Sequence, residues 1–109
     1  MISRDQVGEA LTFIGETDHA YAEAKTEVER STWLCKHVRA IVYETTDREA
    51  KVDERKQAVE RHGKVVAVEE RRLSAVLAFE KIKAERETKQ LILEVWRSLE
   101  ATRRRETIQ

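Results

Sequence analysis

The sequence contains no proline and only three glycines, Gly8, Gly15 and Gly63. Tight turns draw on those two residues, so a chain nearly without them cannot make the repeated reversals of a β-sandwich. A few long elements are what remains. Composition says of which kind: 39% of the 109 residues are charged and only 6% are aromatic. Such a charge fraction, with apolar residues at helical spacing, means long two-sided helices. The expected fold class is all-α. A short N-terminal helix precedes a long antiparallel helical hairpin, assembling as a helical or coiled-coil homo-oligomer.

Residues 1–109 read as a single helical domain divided at the glycines. Ser3 and Gln6 form a capping box for a helix over 1–15 that carries Val7, Ala10, Leu11 and Ile14 and stops at Gly15. Thr17 or Asp18 then caps a long helix over 17–62. Its seam is Tyr21, Ala24, Val28, Ser31, Cys35, Val38 and Val42, spaced alternately by three and four, with Leu34, Ile41 and Ala20 flanking it. A second capping box, Thr46-Asp47-Arg48-Glu49, either opens a new helix after a kink or sits inside a continuous one. Gly63, after Arg61 and His62, is the interior reversal signal.

The last helix is expected over 64–106, with Leu73, Val76, Leu77, Ala84, Leu91, Val95 and Leu99 as its stripe and Val68, Phe79 and Ile82 beside it. A helix of that length runs to roughly 60 Å, more than so short a chain can wrap. The first long segment must lie against it, and the apolar positions left over call for a second copy. Expected core and oligomer residues are therefore Tyr21, Val28, Trp33, Leu34, Val38, Leu73, Leu77, Leu91, Val95 and Trp96.

The chemistry of an enzyme is missing. Gly63-Lys64 lacks the other elements of a phosphate-binding loop. Cys35 and His37 point different ways on a helix, and His19 with Glu23 supplies two ligands where a metal takes at least three. Cys35 lies on the apolar seam, the place of a buried structural thiol. No catalytic residue, metal or cofactor is expected. No apolar run approaches the roughly 18 residues of a membrane span, and no signal-peptide pattern precedes the first polar segment. The expected compartment is the cytoplasm.

Lys plus Arg and Asp plus Glu both number 21, so a surface for nucleic acid must be local. Bases gather at Lys36, His37 and Arg39 after Trp33, at Arg55, Lys56, Arg61, His62 and Lys64 around Gly63, and at Arg103, Arg104 and Arg105. Each cluster reads as a solvated face or as a track for a phosphate backbone repeated by symmetry. Trp33 and Trp96 adjoin the seam residues Leu34 and Val95, which favours packing over base stacking.

The stretch Phe13-Ile14, Tyr21, Trp33-Leu34-x-Lys36-His37 resembles, without a gap, the N-terminal half of the UvsY phage recombination mediators. The resemblance covers roughly residues 13–61; the second half shares only a long amphipathic helix with a late tryptophan, here Trp96. It implies an all-helical homo-oligomer, a ring in that family, that binds single-stranded DNA. It also implies partners: a RecA-like recombinase loaded onto strands coated with single-stranded-DNA-binding protein. The gapless register puts Lys56 at a lysine of the family implicated in DNA binding, whereas a neighbouring basic position falls on Ala58. Arg55 or Arg61 would substitute from adjacent positions. The expected DNA-binding residues are Arg55, Lys56, Arg61, Lys64, Lys36 and His37. The rival reading is a non-enzymatic structural coiled-coil or adaptor protein, favoured by zero net charge and by the sign alternation from Asp47 to Lys56.

Overall fold

Three helices and no strand make up the described part of the chain: α1 (Arg4–Glu44), α2 (Val52–Arg61) and α3 (Gly63–Ile108). The computed structural model describes residues 1–107 in full and the backbone of Ile108; Gln109 lies outside the described residues. The fold is all-α, and no helix in the described residues is long and apolar enough to cross a membrane.

α1 begins as the sequence directs. Ser3 N–H donates to Gln6 Oε1 at 2.7 Å and Gln6 N–H to Ser3 Oγ at 3.2 Å, the reciprocal bonds of a capping box. The expected stop at Gly15 is absent. No glycine takes a positive φ, and α1 runs through Gly8 and Gly15 at a propensity cost of about 1 kcal/mol each. Side-chain hydrogen bonds cluster around Gly15. Thr17, expected as a cap, instead donates its hydroxyl to Phe13 O at 2.7 Å within the helix. Arg86 of α3 donates to Ile14 O at 2.9 Å and to Thr17 Oγ1 at 2.8 Å.

The break comes later, between Glu44 and Val52. Thr45 and Thr46 turn their hydroxyls back onto Val42 O (2.7 Å) and Tyr43 O (2.6 Å). That satisfies carbonyls which a continuing helix would use. The Thr46–Glu49 capping box does not form: Glu49 N–H donates to Asp47 Oδ1 at 3.0 Å, and α2 starts after Lys51, which makes no side-chain cap. Asp53 and Glu54 in the first turn of α2 and Arg61 in its last complement the helix dipole.

Gly63 is not a left-handed terminator either; it is the first residue of α3. His62, at φ −66 and ψ 135, forms the joint. Its Nδ1 accepts the Lys64 N–H at 3.1 Å, and its carbonyl accepts Val65 N–H and Val66 N–H, both at 3.0 Å. His62 therefore caps α3, a role for which Ser, Thr, Asp and Asn are the usual residues.

The chain packs as two units. The central unit is Glu23–Phe79; the terminal unit is Met1–Ala22 with Glu80–Gln109. In the central unit Val42, Val59 and Val65 from the three helices form a cluster with Val38 and Tyr43 packed on it. Ser31, Cys35 and Ala75 are also buried there, and Val7 and Ala10 are buried in the terminal unit. No Leu, Ile, Phe or Trp is fully buried among the described residues. The buried set is thus made of small side chains, and the large apolar residues are half-buried or exposed.

All of the α1 seam from Tyr21 to Val42 faces inward, buried or half-buried. Of the α3 stripe only Val76 does. Leu73 and Leu77 in the central unit, and Leu91, Val95 and Leu99 in the terminal unit, are exposed. The inward face of α3 is instead Val65, Val68, Ala75, Val76, Phe79 and Ile82. α3 carries apolar residues on more than one face, and the inward one is the face whose small residues match Ser31, Cys35 and Val42. The residues expected as core thus divide. Tyr21, Val28, Leu34, Val38 and Trp96 are half-buried; Trp33, Leu73, Leu77, Leu91 and Val95 stand out from their units.

Candidate nucleic-acid interface

An ion network borders the central unit. Arg39 Nε and Nη2 donate to the two oxygens of Glu60 at 2.8 and 3.2 Å, and Arg39 Nη1 donates to Glu69 Oε1 at 2.9 Å. Arg72 donates to Glu69 from within α3, its Nη2 lying 3.1 Å from Oε2. Arg71 Nη2 reaches Glu27 Oε1 at 2.9 Å. The Arg72 and Arg39 hydrogen bonds hold the Glu69 carboxyl at about 2, well below its usual 4.5. Glu27 and Glu60 are lowered as well, chiefly by Arg71 and Arg39 respectively. The Cys35 thiol, buried and donating to Val68 O at 3.3 Å, is pushed up by burial and by Glu69. A buried thiol of that kind packs rather than reacts.

The sign of the pH dependence follows. A carboxylate held below its unfolded value contributes stability that is present above about pH 4.5 and lost as pH falls toward 2. Thermal melts by circular dichroism should show Tm falling most steeply in that window. Glu69→Gln should flatten the fall and lower stability at neutral pH by about 1–2 kcal/mol. An acid limb unchanged in Glu69→Gln would exclude Glu69 as its source.

Of the six expected DNA-contact residues, Arg55 is committed elsewhere. Its Nε donates to Thr46 Oγ1 at 2.8 Å, its Nη2 to Tyr43 O at 3.2 Å, and its guanidinium lies 4.0 Å from the Tyr43 ring centroid. Arg55 therefore closes the C-terminal end of α1, where a cation meets the negative pole of the dipole and shares the Tyr43 carbonyl with Thr46. Sequence reasoning missed this because the acceptor is a backbone carbonyl distant in sequence.

The other five stay at the surface. Lys56 and Arg61 line a shallow concavity of about 420 Å³ with Gln57 and Glu60. The carboxylate there is already taken by Arg39, and Arg61 uses only Nε, toward Gln57 O of its own helix at 3.3 Å. Lys64 and His62 line a second hollow of about 240 Å³ with Val38, Ile41, Val42 and Thr45. On α1, Trp33 is 61% exposed. Its ring stacks on His37, centroids 4.9 Å apart and planes 11° apart, with Lys36 one residue before His37. The structure brings together Lys56 with Arg61, His62 with Lys64, and Trp33 with His37.

Among the described residues no group of three or more His, Cys, Asp or Glu side chains is placed to hold a metal ion. No family model matches the chain, and neither a curated protein nor a solved structure matches it.

Proposed function

We propose that this chain is a non-enzymatic, mediator-like protein that self-associates, binds single-stranded DNA and helps load a RecA-like recombinase onto strands coated with single-stranded-DNA-binding protein. The recombinase and the coat protein come from the UvsY resemblance, as does phage origin. The observation that carries the reading is the exposed Trp33–His37 stack beside Lys36. A large aromatic ring left in water costs solvation unless something covers it, and an unpaired base is a flat partner for it. Lys56, Arg61 and Lys64, which hold no ion pair among the described residues, supply phosphate contacts. In this reading an antiparallel pairing of α1 with α3 builds the protomer, supported by the Glu27–Arg71 and Arg39–Glu69 contacts. The exposed leucines of α3 supply the contact between copies. Repetition of a modest basic surface by assembly raises affinity through avidity.

Fluorescence anisotropy with a labelled oligothymidylate tests this. Binding should appear at low salt and weaken as salt rises. Lys56→Ala, Arg61→Ala and Lys64→Ala together should weaken it at least tenfold and reduce the salt slope by about 2, roughly 0.7 per lost contact. Trp33→Ala should cost about 1–3 kcal/mol of binding. Arg55→Ala should lower stability while leaving the affinity of the folded protein intact. No binding at low salt, or affinity indifferent to these substitutions, sinks the DNA reading. That outcome would favour the second reading, a structural coiled-coil or adaptor, which draws on the exposed α3 leucines and on the acids Asp53, Glu54 and Glu60 interleaved among the bases.

A further inference from the structure

Within the terminal unit one face of α3 stays largely exposed among the described residues, its C-terminal end bordered by Met1 and Ile2. Leu91, Val95 and Leu99 are 58%, 41% and 47% exposed, while Ile92, Leu93 and Trp96 are half-buried. Thr88 and Thr102 prolong the stripe, three residues before Leu91 and three after Leu99. Their hydroxyls donate to Ala84 O at 3.0 Å and Ser98 O at 3.1 Å of their own helix. Neither would bring an unsatisfied O–H into an apolar contact. The series Thr88, Leu91, Val95, Leu99, Thr102 therefore reads the same in both directions about Val95.

The flanking charges are polarised instead. Glu85 and Glu87 stand at the N-terminal end of the stripe, Arg103 and Arg105 at its C-terminal end. Glu85, Glu87 and Arg105 hold no ion pair among the described residues. Arg103, itself exposed, pairs among the described residues with half-buried Glu100 one turn away, at 3.1 Å.

We infer that two copies of this chain pair through this face with the helices antiparallel and the two-fold axis at Val95. Leu91 then lies against the partner's Leu99, and Thr88 against the partner's Thr102. Glu87 comes within about 3 Å along the axis of the partner's Arg105, and Glu85 within about 3 Å of the partner's Arg103. A parallel pairing in register would set acid on acid and Arg on Arg. The interface is isologous and closes on itself. This inference rests on the self-association proposed above and adds its direction and register.

Disulfide cross-linking in a Cys35→Ser background tests it. Val95→Cys should form a covalent dimer under mild oxidation. Leu91→Cys alone should not, because its two copies would lie about 12 Å apart along the axis, whereas Leu91→Cys mixed with Leu99→Cys should. Efficient self-cross-linking at position 91 and at position 99 would mean a parallel pair and overturn the register while leaving assembly intact. No cross-link from any variant, with an oligomeric mass for the unmodified chain, would overturn this seam; with a monomeric mass it would overturn assembly too. A charge swap needs no cysteine. Glu85→Arg with Glu87→Arg should weaken the dimer about tenfold, and adding Arg103→Glu with Arg105→Glu should restore it. A swap that keeps its helical spectrum and does not restore association counts against the pairing.

Discussion

Replacing Arg86 by Met should destabilise the terminal unit by about 2–3 kcal/mol, near the top of the range for a single charge-assisted hydrogen-bonding group. The Arg86 side chain is only 12% exposed. Its guanidinium donates to Ile14 O, to Thr17 Oγ1 and, at 2.6 Å, to Asp18 Oδ1, and it lies 4.9 Å from the Tyr21 ring centroid. Met retains most of the apolar stem and removes the fork, so the loss reports on the polar contacts rather than on a cavity. Asp18 is 67% exposed and regains water, and Thr17 keeps its own bond to Phe13 O; the cost stays short of that of a stranded buried charge. For a chain of this length the change lowers Tm by on the order of 10 °C. Arg86→Lys should recover only part of it, since one ammonium cannot reach all three acceptors. Circular dichroism melts decide: a shift of less than about 0.5 kcal/mol would show that the guanidinium is not what fastens α1 to α3 there.

The second large effect is steric. Ser31 is 1% exposed and stands on the α1 seam beside Cys35, where the central unit is lined by small residues. Ser31→Leu should cost about 2–3 kcal/mol, because added methylenes must displace packed neighbours. Ser31→Ala should cost less than about 1 kcal/mol. It removes one hydroxyl donor, 3.2 Å from Glu27 Oε1, and that carboxylate keeps Arg71 and Arg30. Chemical denaturation of the two variants separates the effects. Equal losses would mean that the hydroxyl, not the space, matters at this position.

Those two residues also mark what the sequence made legible. The seam from Tyr21 to Val42 was readable because a three-and-four spacing on a helix has only one inward solution, and Ser31, Cys35 and Val42 lie on it. The Ser3–Gln6 box was readable because both partners sit within one turn. Gly15 was not. Its usual meaning as a terminator is overridden by Arg86, whose acceptors Ile14 and Thr17 are some seventy residues distant in sequence. The Arg55 bonds to Tyr43 O and Thr46 Oγ1 were hidden for a similar reason, since those acceptors lie on the preceding helix and turn. On α3 the apolar positions fit more than one face; the inward one carries Val65, Val68, Ala75, Val76, Phe79 and Ile82, which leaves Leu73, Leu77, Leu91 and Leu99 outside. The Trp33–His37 stack lay within reach of the i,i+4 rule, but exposure on α1 was decided by the opposite face, where Ser31 and Cys35 go inward.

Assembly and ligand are joined in one measurement: light scattering of the purified chain at micromolar concentration, alone and with an oligothymidylate at low salt. A multiple of the 12.7 kDa protomer mass is expected in both runs, with nucleic acid co-migrating in the second. A mass of one protomer, with the oligonucleotide eluting separately, contradicts that expectation.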